Sequence, residues 1–150
     1  MKSIISKTMA LLAISAALFS FSTAPGGEGF EIFLNDKVLL QQFGKDVNTV
    51  KSLQISQRSP NDKLTIRYYH CGRVGTNRVV TIRDEQNRLL KQFHFNDGFV
   101  PIPAMEIPLK DIMGLKKSSM TLKLYYSSRE LPNGRMLASI NAATAIRTTP

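Results

Sequence analysis

Between residues 30 and 140, apolar and polar side chains alternate in runs of five to eight residues, each cut short by a cluster of turn formers. A period of two suits a strand with one buried face. It does not suit a helix, whose apolar positions return every third or fourth residue. The pattern points to an antiparallel all-β fold. Phe30, Ile32 and Leu34 alternate with Glu31, Phe33 and Asn35, and Asn35-Asp36-Lys37 turns the chain into residues 38–43 to make an opening hairpin. Residues 50–56 form a third strand with Leu53 and Ile55 on one side, Ser59-Pro60-Asn61-Asp62 is a turn, and residues 63–70 form a fourth strand. Residues 78–84 and 88–95 make a second hairpin around Glu85-Gln86-Asn87, with Val80, Ile82, Phe93 and Phe95 assigned to the core.

The rhythm breaks between residues 96 and 115. Pro101, Pro103 and Pro108 each remove a backbone donor, so this stretch reads as an unpaired crossing connection, with a helical turn at 109–113 that Gly114 ends. Strand character returns at 120–127, Leu131-Pro132-Asn133-Gly134 is a turn, residues 135–140 form the last strand, and a frayed tail begins at 141. About eight short strands and one long connection predict a two-layer antiparallel β-sandwich, with a small β-barrel as runner-up. Lys or Arg interrupts most of the strands, which disfavours an outer-membrane barrel with its apolar outer band.

Lys2 and Lys7 flank the start of an apolar run that carries no charge from Thr8 to Phe21 and ends in Ser22-Thr23-Ala24. This is the layout of an export signal, and the run falls short of the roughly 20 apolar residues of a spanning helix. The expectation is a signal peptide over residues 1–24, cleaved near 22–24, and a single domain over residues 25–150. That domain is exported to a periplasm or the extracellular space, with no transmembrane segment in the mature protein. It is large enough to bury about two thirds of its unfolded surface. Cys71 is the only cysteine, so no intramolecular disulfide forms and apolar packing alone holds the fold.

The formal net charge is +9, and the excess is concentrated: Arg58, Lys63, Arg67, Arg73, Arg78, Arg83, Arg88 and Lys91 face only Asp62, Asp84 and Glu85 in that stretch. Outside the cytoplasm a basic field attracts anionic polysaccharide, lipid headgroups or an acidic protein. Export separates the chain from genome and transcripts, and its aromatics do not form an RNA-binding signature, so no nucleic acid is expected as a partner. Two strands also share a pattern. Leu64-Thr65-Ile66-Arg67-Tyr68-Tyr69 and Met120-Thr121-Leu122-Lys123-Leu124-Tyr125 each place a Thr, a base and a Tyr on the outward parity. Sharing one sheet, they would form a basic, tyrosine-bearing face. Together with the loop cations this gives a candidate surface of Arg67, Tyr69, Arg73, Arg78, Lys123 and Tyr125, suited to stacking on sugar rings or leaning on a partner.

His70-Cys71-Gly72-Arg73-Val74-Gly75-Thr76-Asn77-Arg78 is the densest stretch of chemistry-bearing residues. Thiolate and imidazole are ligands for copper or zinc, and a Cys beside a cation can become nucleophilic. His70 and Cys71, with His94 as a third, are therefore the candidate metal or redox set. Adjacent strand residues point to opposite faces, so His70 and Cys71 can share a metal only if the backbone leaves strand geometry at Gly72. His94, between Phe93 and Phe95, takes the outward parity. The alternative fates are a small, buried, inert Cys and a His bonded to the loop backbone. No Gly-x-Ser-x-Gly elbow, His-Glu-x-x-His pair or second cysteine is present. The expectation is a non-enzymatic binding or adaptor module without a cofactor, recognising an anionic surface component or another protein. The copper or zinc site and the anionic glycan or lipid-surface binder are the alternatives.

Overall fold

The computed structural model describes residues 27–100, 102–115 and 120–142. The leader assigned to residues 1–24, and the tail beyond residue 142, lie outside the described residues. Within them run nine strands: Glu28–Leu34 (β1), Lys37–Phe43 (β2), Lys51–Ile55 (β3), Lys63–His70 (β4), Arg78–Arg83 (β5), Leu89–Phe95 (β6), Met105–Pro108 (β7), Leu122–Ser127 (β8) and Arg135–Ala142 (β9). One short helix, Leu109–Met113 (α1), lies between β7 and β8.

The strands form two sheets, a four-stranded one in the order β2-β1-β4-β7 and a five-stranded one in the order β3-β9-β8-β5-β6. This is the all-β sandwich that the alternation predicts. Parity sets the packing. From the four-stranded sheet Phe30, Ile32, Leu64, Ile66, Met105 and Ile107 point inward with no exposed area, and Val80, Ile82, Leu122, Leu124, Ala138 and Ile140 meet them from the other. Burying such a side chain contributes about 1.5–3 kcal/mol, so these two interdigitating rows carry the fold without a disulfide. Phe93 and Phe95 pack against this core from the edge strand β6 while partly exposed.

Two crossings close the sides of the sandwich. After β2 a 3-10 turn, Gly44–Asn48, buries Val47 and delivers β3 to the far sheet, where it pairs parallel to β9. On the opposite side the chain passes from β7 through α1 to β8, and Leu109 and Ile112 of α1 are wholly buried. A Lys91–Asp111 ion pair of 3.3 Å ties edge strand β6 to α1.

Three expectations need correction. The described residues hold nine strands, not eight, because the proline-rich connection contains β7. Met105 and Ile107 enter the core there, and Pro108 sits at the end of an edge strand, where its missing donor costs least. One pair of strands, β3 with β9, is parallel within an otherwise antiparallel sandwich. The last strand runs through Ala142, two residues past the expected end at 140, because Gln54 and Ile55 of β3 pair with Asn141 and Ala142.

Candidate functional site

β4 is an interior strand of the four-stranded sheet and β8 the central strand of the five-stranded one, so their outward rows face opposite directions. Arg67 and Tyr69 therefore lie on one outer surface, and Lys123 and Tyr125 on the other. Arg78 lies on neither. Only 4% exposed, it shares the parity of Val80 and Ile82, and its guanidinium reaches the carbonyls of Pro103 (2.8 Å) and Asn96 (2.6 Å). Arg73 is exposed on the loop after β4. The six residues expected to share a surface thus occupy two outer faces, a loop and the interior.

On the outer face of the four-stranded sheet carboxylates pair with the neighbouring polar groups, and Arg67 rests on a ring. The Arg67 guanidinium lies over the Phe33 ring at 5.3 Å. Glu31 accepts from Gln41 Nε2 at 2.6 Å and from the Tyr69 hydroxyl at 2.7 Å. Burial, reinforced by that bond, pushes the Tyr69 phenol up to about 12. Lys63 pairs with Glu106 at 2.8 Å.

The outer face of the five-stranded sheet differs. Register places Arg83 of β5 directly opposite Lys123 of β8, and Thr81 opposite Tyr125. Like charges opposed across strands cost stability. The Arg83 guanidinium lies over the Tyr125 ring at 5.1 Å, and its Nε is buried without a hydrogen-bond partner. Lys123 Nζ donates to the Glu85 carbonyl and to Asn87 Oδ1, both at 2.9 Å, and Tyr125 Oη reaches the same Oδ1 at 3.4 Å. Asn87 can serve both because it closes the β5–β6 hairpin in a left-handed conformation, φ +63°. The outward positions of the adjoining strands hold Ser52, Gln54, Ser139, Asn141, Gln92 and His94, and none is acidic. The acids at the neighbouring turn are engaged: Asp84 is buried and binds Arg88 at 2.6 Å, and Glu85 accepts the Thr121 N–H at 2.8 Å. Arg83, Lys123 and Tyr125 thus present two cations and a phenol on this face, with the Glu85 carboxylate beside them held by the Thr121 N–H. Sequence reasoning named Lys123 and Tyr125 and missed Arg83, whose outward parity was readable but whose pairing with a residue 40 positions away was not.

The His70-Cys71 loop forms the end of the sandwich. Cys71 (φ +51°) and Gly72 (φ +82°) both turn left-handed, and Arg73 N–H bonds back to the His70 carbonyl at 3.1 Å, so the backbone leaves strand geometry one residue before Gly72. Cys71 is exposed rather than buried as its inert alternative required, because the left-handed turn swings it out of the strand, whereas the His70 ring is buried between the sheets. His70 Nε2 lies 2.9 Å from Tyr126 Oη and 3.4 Å from Ser128 Oγ. Burial lowers the His70 pKa and favours the neutral ring beside the Tyr126 hydroxyl, and burial pushes that phenol up to about 12. Gly75 passes so closely that a Cβ there would come within 2.7 Å of both His70 Nε2 and Tyr126 Oη. Beside this pair Tyr68 Oη donates to Glu28 at 2.5 Å and accepts from Arg135 at 2.6 Å, and Arg135 and Glu28 pair at 2.9 Å. His94 lies exposed on edge strand β6 of the other sheet, so His70, Cys71 and His94 do not converge. Among the described residues no three His, Cys, Asp or Glu side chains are grouped to hold a metal ion.

No protein-family model matches this sequence, and a search of curated proteins finds no match.

Proposed function

We propose that this chain is an exported, non-enzymatic binding module that recognises an anionic glycan of the cell envelope or extracellular space through the outer face of its five-stranded sheet. The observation that carries the reading is the Arg83–Lys123 opposition on a face whose outward strand positions hold no acid. An incoming sulfate or carboxylate relieves that repulsion and accepts charge-assisted hydrogen bonds from the Lys123 ammonium and the Arg83 guanidinium. Tyr125 and the amide and hydroxyl side chains around it offer ring contact and hydrogen bonds to sugar hydroxyls. The leader-like residues 1–24 support the assignment outside the cytoplasm.

Retention on a sulfated-polysaccharide resin tests this. The protein should bind at low salt and elute as salt rises, since exposed charge attraction is screened. Arg83→Gln and Lys123→Gln should each elute earlier than Arg67→Gln, which removes an equal charge from the opposite face. Equal elution of all three would refute the assignment to this face.

A further inference from the structure

The outer face of the five-stranded sheet is ordered beyond its two cations, and the order runs across the strands. Register sets Arg83 of β5 opposite Lys123 of β8, Lys123 opposite Ser139 of β9, and Ser139 opposite Ser52 of β3. All four have outward parity, so they form one row over four strands. With neighbouring strands about 4.8 Å apart, the row is about 14 Å long. Its halves differ in charge. Arg83 and Lys123 occupy the β5–β8 half, whereas the outward positions where β9 pairs with β3 are Ser139, Asn141, Ser52 and Gln54, all neutral. Lys51, at the start of β3, has the inward parity and stands opposite buried Ala138.

The neutral half is also arranged in advance. Thr121 Oγ1 donates to Asn141 Oδ1 at 3.0 Å, and Asn141 Nδ2 donates to Ser52 Oγ at 2.8 Å. This chain of side-chain bonds crosses from β8 to β3, orients the Asn141 amide and leaves the Ser52 hydroxyl to donate. Hydroxyl and amide groups held in a line suit the hydroxyls of sugar rings, which donate and accept alike. In the other half Arg83, Lys123 and the adjoining Glu85 carboxylate, which accepts the Thr121 N–H at 2.8 Å, sum to a single positive charge. That complements one acidic group. A chain charged on every unit would carry anions over the neutral half, where no outward cation meets them.

Resting on the glycan reading, we propose that this row selects a sparsely charged glycan, with one acidic sugar over Arg83 and Lys123 and neutral sugar units running across the strands over Ser139 and Ser52. Calorimetric titration of the unaltered protein at low salt compares glucuronic acid, a xylobiose capped by glucuronate, and trigalacturonate. The capped xylobiose should bind about fivefold more tightly than glucuronic acid, since its neutral units add hydrogen bonds along the row. It should also bind at least as tightly as trigalacturonate, with one charge against three. Ser139→Val combined with Ser52→Val, both at outward strand positions that a β-branched residue suits, should bring the ratio of the first two affinities toward one. Equal affinities for glucuronic acid and the capped xylobiose in the unaltered protein overturn the inference, and leave the glycan reading standing where Lys123→Gln weakens both. Tighter binding of trigalacturonate overturns the single-acid assignment. No binding of any probe also overturns the inference, and if a sulfated resin fails to retain the protein as well, the glycan reading falls with it.

Discussion

β4 and β8 are close to the same strand in sequence and differ in what their outward rows are left to do. Both are interior strands that bury alternate residues, and across the core Tyr68 and Tyr126 stack with ring centroids 4.3 Å apart and planes 18° apart. Outside, β4 meets β1 and β7, which supply Glu31 and Glu106, so its phenol and its nearby Lys63 are paired within the sheet. Outside β8, the neighbours supply Arg83 and Ser139, and the cation Lys123 finds only neutral oxygens. The Tyr of the row meets a carboxylate on one surface and a neutral amide oxygen on the other, while the base rests on a ring in β4 and opposes a second cation in β8. What a short strand motif can bind is decided by the strands that flank it.

The inward halves of the comparison give the largest expected effect. Tyr126→Ala removes a stacked ring from the centre of the core and should cost about 3–5 kcal/mol in urea unfolding. Tyr126→Phe keeps the stack and removes only the hydroxyl at His70 Nε2, and should cost about 1–2 kcal/mol. Equal losses from the two would mean that the hydrogen bond, not the ring contact across the sheets, joins β8 to β4.

Acid should act on the loop end, from both strands, in two steps. Burial holds the folded His70 pKa below its ordinary value of 6.5, so the unfolded chain takes up a proton first as pH falls through 6.5, and stability drops there. Glu28 and Arg135 also face this ring, from β1 and β9, and Glu130 and Arg73 from the flanking loops. The Thr76 N–H and hydroxyl outweigh the desolvation of Glu130 and bring its carboxyl from 4.5 to about 2. That contribution is complete above 4.5 and lost as pH falls from there toward 2. Melting temperatures at pH 8, 5.5 and 3 should decline in both intervals. His70→Gln should flatten the upper step and Glu130→Gln reduce the lower one, while an unchanged profile in either variant would detach that residue from its step.

Parity made much of this molecule legible. It placed Leu64, Ile66 and Tyr68 inside, and it placed His94 outside between two partly buried phenylalanines. Applied to β5 it also puts Arg78 in phase with Val80 and Ile82, so the burial of that cation was readable, although charge argued for the surface. Parity does not say which side of a sandwich an outward residue occupies, and for that reason Arg67 and Lys123 could not be separated. Pairing between distant strands is the other hidden variable: Arg83 with Lys123, and Glu28 with Arg135, meet only once the sheet order is set. β7 was obscured for a local reason, because its two inward residues, Met105 and Ile107, stand among three prolines.

The smallest expected effect on stability separates the two outer faces most sharply. Lys123→Glu replaces a like-charge opposition with an attractive one to Arg83 and should stabilise the fold by a few tenths of a kcal/mol, up to about 1. Arg67→Glu makes the same change in net charge on the other face. There it removes the cation over Phe33 and sets a new carboxylate opposite Glu31, so it should destabilise by a similar amount. On a sulfated polysaccharide the ranking should reverse: the stabilised Lys123→Glu protein loses at least tenfold in affinity, and the destabilised Arg67→Glu protein loses only the smaller share due to net charge. A variant that gains stability as it loses its ligand marks a position where the unliganded fold carries strain that the ligand relieves. Equal losses of affinity would reduce the two faces to one diffuse positive field.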